Sequence, residues 1–343
     1  MHFRLIFATL LFSISGTALF AQTPATPGIH LIKKTVVGGD GFWDYITVDG
    51  VNRQLFLSHG NQVEVLNADT HEKLGVLADT KGVHGVSVIP ERHRGYSTNG
   101  RTNTVSVFNT QTFEKLSDVP TGKGPDASMY DPYSNRVFIF DHAGGDVTVI
   151  DAATDLVVGT VAIGGDLEAG VSDENGTIFV NVENKSEIVA FDAKTLAIKN
   201  RYPLAPGEEP TGLGIDVANK RLFTVCGNKL MLVLDSDNGK ILAQLPIGDH
   251  CDGMVFDPQT KLAISSNGDG TLTVVQEVSP TEFRVAETVN TERGARTIAL
   301  DPKTHHVFVV TAKYGERPAP TADQPNPRPK ILPGTFTVLE YGQ

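Results

Sequence analysis

The stretch Ala127-Ser128-Met129-Tyr130-Asp131-Pro132-Tyr133-Ser134-Asn135-Arg136-Val137-Phe138-Ile139-Phe140-Asp141 decides the architecture. An apolar run ends in Asp-Pro, a polar turn follows, and a second apolar run begins. Two further runs, Asp146 to Asp151 and Leu156 to Gly164, complete the unit. The runs alternate with period two and are rich in Val, Ile and Phe, which is the chemistry of half-buried strands. Aspartate and asparagine fill the turns between them, where they bond their own backbone.

The unit recurs along the chain. Its first run closes at positions 49, 89, 131, 173, 216, 257 and 301, so the spacing stays between 40 and 44 residues. Ile46-Thr47-Val48-Asp49, Met254-Val255-Phe256-Asp257-Pro258 and Ile298-Ala299-Leu300-Asp301-Pro302 are three of the seven copies. Four short strands at this period describe a propeller blade, whereas a helical solenoid of similar period would need 3.6-residue patterning. The chain therefore reads as an all-β, seven-bladed β-propeller with four antiparallel strands per blade. It occupies residues 30–343 as a single domain. Copy seven has only three strands and ends at Phe336-Thr337-Val338-Leu339-Glu340, while an orphan strand, His30 to Gly38, precedes copy one. The orphan is expected to supply the missing outer strand and close the ring.

Composition narrows function without naming it. The 343 residues carry 29 basic and 40 acidic side chains, a net charge of −11. That balance disfavours a nucleic-acid partner. A charged share of 20% is too low for a disordered chain, and two cysteines cannot build a disulfide-dense scaffold or a four-cysteine zinc site. Arg4 followed by the apolar run Leu5 to Phe12 and then small residues reads as a signal peptide over residues 1–21. Residues 22–29 form a short leader. The expected location is periplasmic or secreted, with no membrane span after cleavage, and the expected state is a monomer.

Tyr96-Ser97-Thr98-Asn99-Gly100, followed by Asn103-Thr104-Val105-Ser106-Val107, resembles the signature of the YVTN-repeat, YncE-like β-propellers, a group of exported bacterial proteins. Variants recur at Ile178 to Asn184 and at Ile264 to Gly270. The resemblance covers nearly the whole chain beyond the leader. It implies fold strongly and function weakly, because propellers host unrelated activities. The family includes a member that binds DNA, a role the acidic charge of this chain argues against.

The repeat register maps a candidate site. Five places before each repeat marker stand Asp44, His84, Asp126, Glu168, Thr211, Asp252 and Arg296. Ten places after it stand His59, Asn99, Asp141, Glu183, Cys226, Asn267 and Thr311. In a four-stranded blade both sets belong to one face, so they are expected to ring the mouth of the central channel. Asp44, His59, His84, Asp126, Glu168, Glu183, Asp252 and Arg296 are the leading ligand-binding candidates. An acidic funnel bearing histidines favours cations, amines or a divalent metal ion, and its histidines would weaken binding below a pH of about 6.5. The bland alternative is that the carboxylates cap loop amides and the histidines are structural. Trp43, the only tryptophan, reads as a plug between blades.

Two further expectations come from the register. Cys226 and Cys251 fall on one face of neighbouring blades, and an exported chain meets an oxidising compartment, so a Cys226–Cys251 disulfide is expected. The loop 312–333 in copy seven is long and proline-rich, and it should lie over the mouth as a lid or docking arm carrying Arg317, Arg328 and Lys330.

No Gly-rich phosphate loop, nucleophile elbow, haem-attachment or zinc-protease motif is present. The leading expectation is thus a scaffold that binds a small molecule or protein partner at the channel mouth. A metal-dependent hydrolase or lyase resembling propeller lactonases is the alternative. An accessory subunit of a periplasmic redox enzyme is a third.

Overall fold

A computed structural model describes residues 27–321 and 327–343. Residues 1–21, read above as a signal peptide, lie outside the described residues. Seven four-stranded antiparallel sheets form a ring, each a consecutive run of four strands except the last. In the third blade the order is Pro125–Asp131, Arg136–Asp141, Asp146–Asp151 and Leu156–Ala162, from the channel outward. The innermost strands touch in sequence around the ring, and Arg296–Leu300 of the seventh blade meets Trp43–Asp49 of the first. No helix among the described residues is long and apolar enough to cross a membrane.

Closure follows the expected design. His30–Val36 pairs antiparallel with Thr337–Gly342, with Val36 opposite Thr337 and Thr35 opposite Val338. The seventh sheet therefore contains strands from both ends of the chain. Trp43 is buried in the seam between the first and seventh blades, against Phe336 and Tyr314 at ring-centroid distances of 5.8 and 6.1 Å.

The repeated aspartate does two jobs. Asp131 Oδ2 accepts the Ser134 amide at 2.8 Å and so holds the turn after the inner strand, as local side-chain bonds do. Its other oxygen accepts the Ser172 hydroxyl of the next blade at 2.6 Å. Asp216 likewise holds its own turn at Ala218 and binds Lys261 of the following blade at 3.0 Å. The repeat marker is thus also a joint between blades.

Between blades the core is apolar and close-packed. Phe223 stacks on Phe256 at 4.9 Å, and Phe138 meets Phe191 edge-on at 5.7 Å. A Cβ added to Gly170 would stand 2.1 Å from the Phe140 ring, so the inner strand of blade four can approach blade three only without a side chain there.

Candidate functional site

The ladder between the first two strands of every blade shifts register just after the inner strand begins. The shift lies between Trp43 and Ile46, Val83 and Val86, Pro125 and Ser128, and Leu167 and Gly170. The remaining three blades show the same between Pro210 and Leu213, Cys251 and Gly253, and Arg296 and Ala299. Such irregularities re-aim side chains. Here they coincide with the seven positions mapped before the repeat marker. Neighbouring blades fix these strand starts: Thr98 Oγ1 donates to Asp126 O at 2.6 Å, and Thr297 Oγ1 donates to Asp44 O at 3.0 Å.

The result is one cavity of about 600 Å³ bounded by Asp44, His84, Asp126, Glu168, Asp252 and Arg296, with Phe42, Tyr45, His142 and Arg328. His84 Nδ1 lies 2.6 Å from Asp44 Oδ2 and 2.8 Å from Asp126 Oδ1. His142 Nδ1 lies 3.2 Å from Glu168 Oε1 and 3.0 Å from Leu167 O. Arg296 Nη1 donates to Asp252 Oδ2 at 2.6 Å, and its guanidinium sits 5.5 Å from the Phe42 ring centroid. At the base, the Tyr45 hydroxyl reaches toward Asp126 and Glu168 at 3.4 and 3.3 Å. Below it runs a narrow channel of about 160 Å³ lined by small residues such as Gly85, Gly170 and Gly212.

Burial and pairing set the charge states. Burial pushes the Asp44 carboxyl up to about 7 and the Glu168 carboxyl up to about 8, against the pull of His84 and His142 respectively. Burial works against a charged His84, yet Asp126 and Asp44 on either side hold its imidazolium up to about 10. Glu168 holds His142 up to about 9. Asp252 is raised by burial although Arg296 opposes this. The carboxylates of the mouth are therefore partly compensated by cations within the same cavity, and both histidines are held above their ordinary 6.5. Proton competition at this cavity extends to higher pH than the sequence alone suggested.

The second mapped set behaves differently. Apart from Glu183 its side chains turn away from the channel, and those of Asn99, Asp141 and Asn267 bond the third strand of their own blade. Asn99 donates to Ser106 Oγ at 2.9 Å and Asn267 to Thr273 Oγ1 at 3.1 Å. Asp141 accepts the Thr148 hydroxyl at 2.7 Å, and burial pushes it up to about 6. His59 is a correction to the expected ring: it is buried, stacked on Phe336 at 4.1 Å, and burial lowers its pKa. Only Glu183 of this set reaches the rim, where it shares a second cavity of about 720 Å³ with Asp252, Arg296, Arg317 and Arg328. Of the described residues of the seventh-blade loop, Arg328 borders both cavities and Arg317 the second.

The expected disulfide is also corrected. Cys226 and Cys251 are both buried free thiols. Strand pleating turns Val225 toward the core between blades five and six and Cys226 toward the core between blades four and five. Cys251 lies in the former, and its thiol donates to the Cys226 carbonyl oxygen at 3.1 Å instead of meeting its sulfur.

Four large or charged mouth residues escaped the register rule: Phe42, Tyr45, Arg101 and His142. Tyr45 left a legible signal. The equivalent positions in the other copies are Gly85, Ala127, Ala169, Gly212, Gly253 and Thr297, so one large residue among six small ones marks it. His142 directly follows Asp141, one place beyond the mapped position.

No protein-family model matches the chain. It is similar to the protein YncE of Escherichia coli strain K12, at 25% identity over 247 residues, which is 66% of this chain and 66% of that protein. YncE of Escherichia coli O157:H7 is 24% identical over 238 residues, 64% of each chain. The matched region thus spans slightly less than two thirds of these relatives. Seven sheets in a closed ring define the class as a seven-bladed β-propeller. Together with this similarity, they make the chain a YncE-like β-propeller.

Proposed function

We propose that this chain is an exported binding scaffold whose channel mouth holds a small polar ligand or a docking group of a protein partner. One observation carries the reading: the inner-strand starts of six blades deliver Asp44, His84, Asp126, Glu168, Asp252 and Arg296 to a single concave site. These polar groups hang on rigid strands, converge from blades far apart in sequence, and sit above a floor formed by Tyr45. Convergent polar groups in a preformed cavity are what a small-molecule site requires. The leader and its export are part of the same proposal.

The test is a thermal-shift screen of the purified chain with amines, amino acids, sugars and divalent ions. A ligand that stabilises the wild type should lose its effect in the double variant Asp126→Asn/Glu168→Gln. Equal stabilisation of both proteins would move the site away from the mouth. A second reading, a metal-dependent hydrolase or lyase, is favoured by the grouping of histidine with carboxylates at the mouth.

A further inference from the structure

We propose that the mouth binds two divalent transition-metal ions side by side, sharing the Asp126 carboxylate. The inference rests on the mouth being the working site and adds the chemical class of what it holds. Asp44, His84 and Asp126 place one ligand atom each within 4.8 Å of one another, and so do Asp126, His142 and Glu168. The two groups have one member in common, and that member stands on the third blade, flanked by ligands from the first, second and fourth. Each group has the same composition, one imidazole and two carboxylates.

That donor set discriminates among ions. Calcium and magnesium prefer oxygen ligands alone, whereas imidazole with carboxylate suits zinc, manganese, iron and copper. A carboxylate has two oxygens and can serve one ion with each. Ions paired this way stand about 3.5–4 Å apart in two-metal sites. The three carboxylates do not neutralise two divalent ions, and Arg101 and Arg328 add positive charge beside the Asp252–Arg296 pair, so the filled site calls for anionic solvent-derived or ligand oxygens.

In the metal-free protein the Asp44 and Asp126 carboxylates share the proton on the His84 ring nitrogen, with Nδ1 2.6 and 2.8 Å from their oxygens. A metal ion satisfies both oxygens and the imidazole together. Tyr45 fits the same view, since its hydroxyl lies beside Asp126 and Glu168, one from each group, at distances too long for strong hydrogen bonds.

The experiment uses the full chain without a histidine tag, stripped with a chelator and titrated with Zn²⁺ by calorimetry, with bound metal counted by mass spectrometry. Two Zn²⁺ per chain are expected. Asp126→Asn should weaken both sites at least 100-fold, while Asp44→Asn and Glu168→Gln should each leave one ion bound. Loaded with Cu²⁺, the wild type should give the electron paramagnetic resonance spectrum of two coupled ions, and the Glu168→Gln variant that of an isolated ion. Melting curves establish that each variant is folded. If Asp126→Asn is not folded, the other two variants decide the matter. Binding of one ion or none to the wild type, or retention of two ions by both Asp44→Asn and Glu168→Gln, overturns the inference. If Zn²⁺ fails to bind while a small molecule still depends on Asp126 and Glu168, the metal pair falls and the mouth remains the site. If neither binds there, both readings fall.

Discussion

Arg53 of the first blade and Asp301 of the seventh form a two-point ion pair across the closure of the ring. Arg53 Nη1 donates to Asp301 Oδ1 at 2.8 Å and Nη2 donates to Oδ2 at 2.6 Å. Asp301 is the repeat marker of its blade, and its carboxylate also accepts the Lys303 amide at 3.0 Å within its own turn. One side chain thus terminates a strand and joins the last blade to the first.

Arg53→Ala removes both charge-assisted bonds and leaves Asp301 buried without its partner. A loss of about 2 kcal/mol is expected. That corresponds to a fall in melting temperature of roughly 3 °C for a chain of this size. Breaking the exposed pair Lys220–Asp237 should leave the melting temperature unchanged. Equal effects from the two substitutions would mean that the closure pair carries no special weight.

Removing residues 30–38 takes away the outer strand of the seventh blade and exposes the edge of Thr337–Gly342. An unpaired edge invites association with other chains. The truncated protein is expected to aggregate or to melt far below the wild type, as measured by light scattering and calorimetry. A soluble monomer with the wild-type melting temperature would show that closure does not depend on this strand.

Glu340, in the same blade, stands within 3.2 Å of His71 Nε2 and 2.7 Å of His306 Nδ1. Burial alone would raise its pKa, but the two imidazoles outweigh burial and hold it below its ordinary 4.5. The stabilisation is therefore complete above pH 4.5 and disappears as pH falls through the depressed value. Urea melts of Glu340→Gln should show a shallower acid loss below pH 4.5 than the wild type. Parallel pH profiles would count against the assignment.

His59 titrates in a different window. Its pKa is lowered from 6.5 by burial, so folding favours the neutral ring. Stability should decline as pH falls below 6.5, where the unfolded chain binds the proton first, until the folded ring is also protonated. His59→Phe removes the titrating ring and should flatten this part of the profile. Nuclear magnetic resonance of the imidazole provides the direct check: a His59 midpoint at or above 6.5 would contradict its buried, stacked position.

Burial pushes both thiols up to about 12. In the folded protein they should therefore resist alkylation at neutral pH. Unfolding without reductant should release two reactive thiols per chain, counted with a chromogenic disulfide. A count of zero would restore the disulfide.

The period of the fold and its closure were legible in the linear sequence because both depend on local chemistry. Alternation within runs such as Arg136 to Asp141 repeats in every blade, aspartate marks the first turn in six of the seven, and an orphan strand matched a three-stranded copy. The same register located the strand starts from Asp44 to Arg296, since equivalent positions in a symmetric ring share a face. Tertiary structure decided which side chains use that face. Register shifts at the inner strands send Asp126 and Glu168 into the channel, whereas the strand-two ends turn His59 and Asn267 back into the protein. Pleat direction, a matter of one residue, placed Cys226 and Cys251 in different cores. Pairing of carboxylates with His84, His142 and Arg296 joins residues up to 44 apart and across blades, so the charge balance of the mouth exists only once neighbouring blades have packed together.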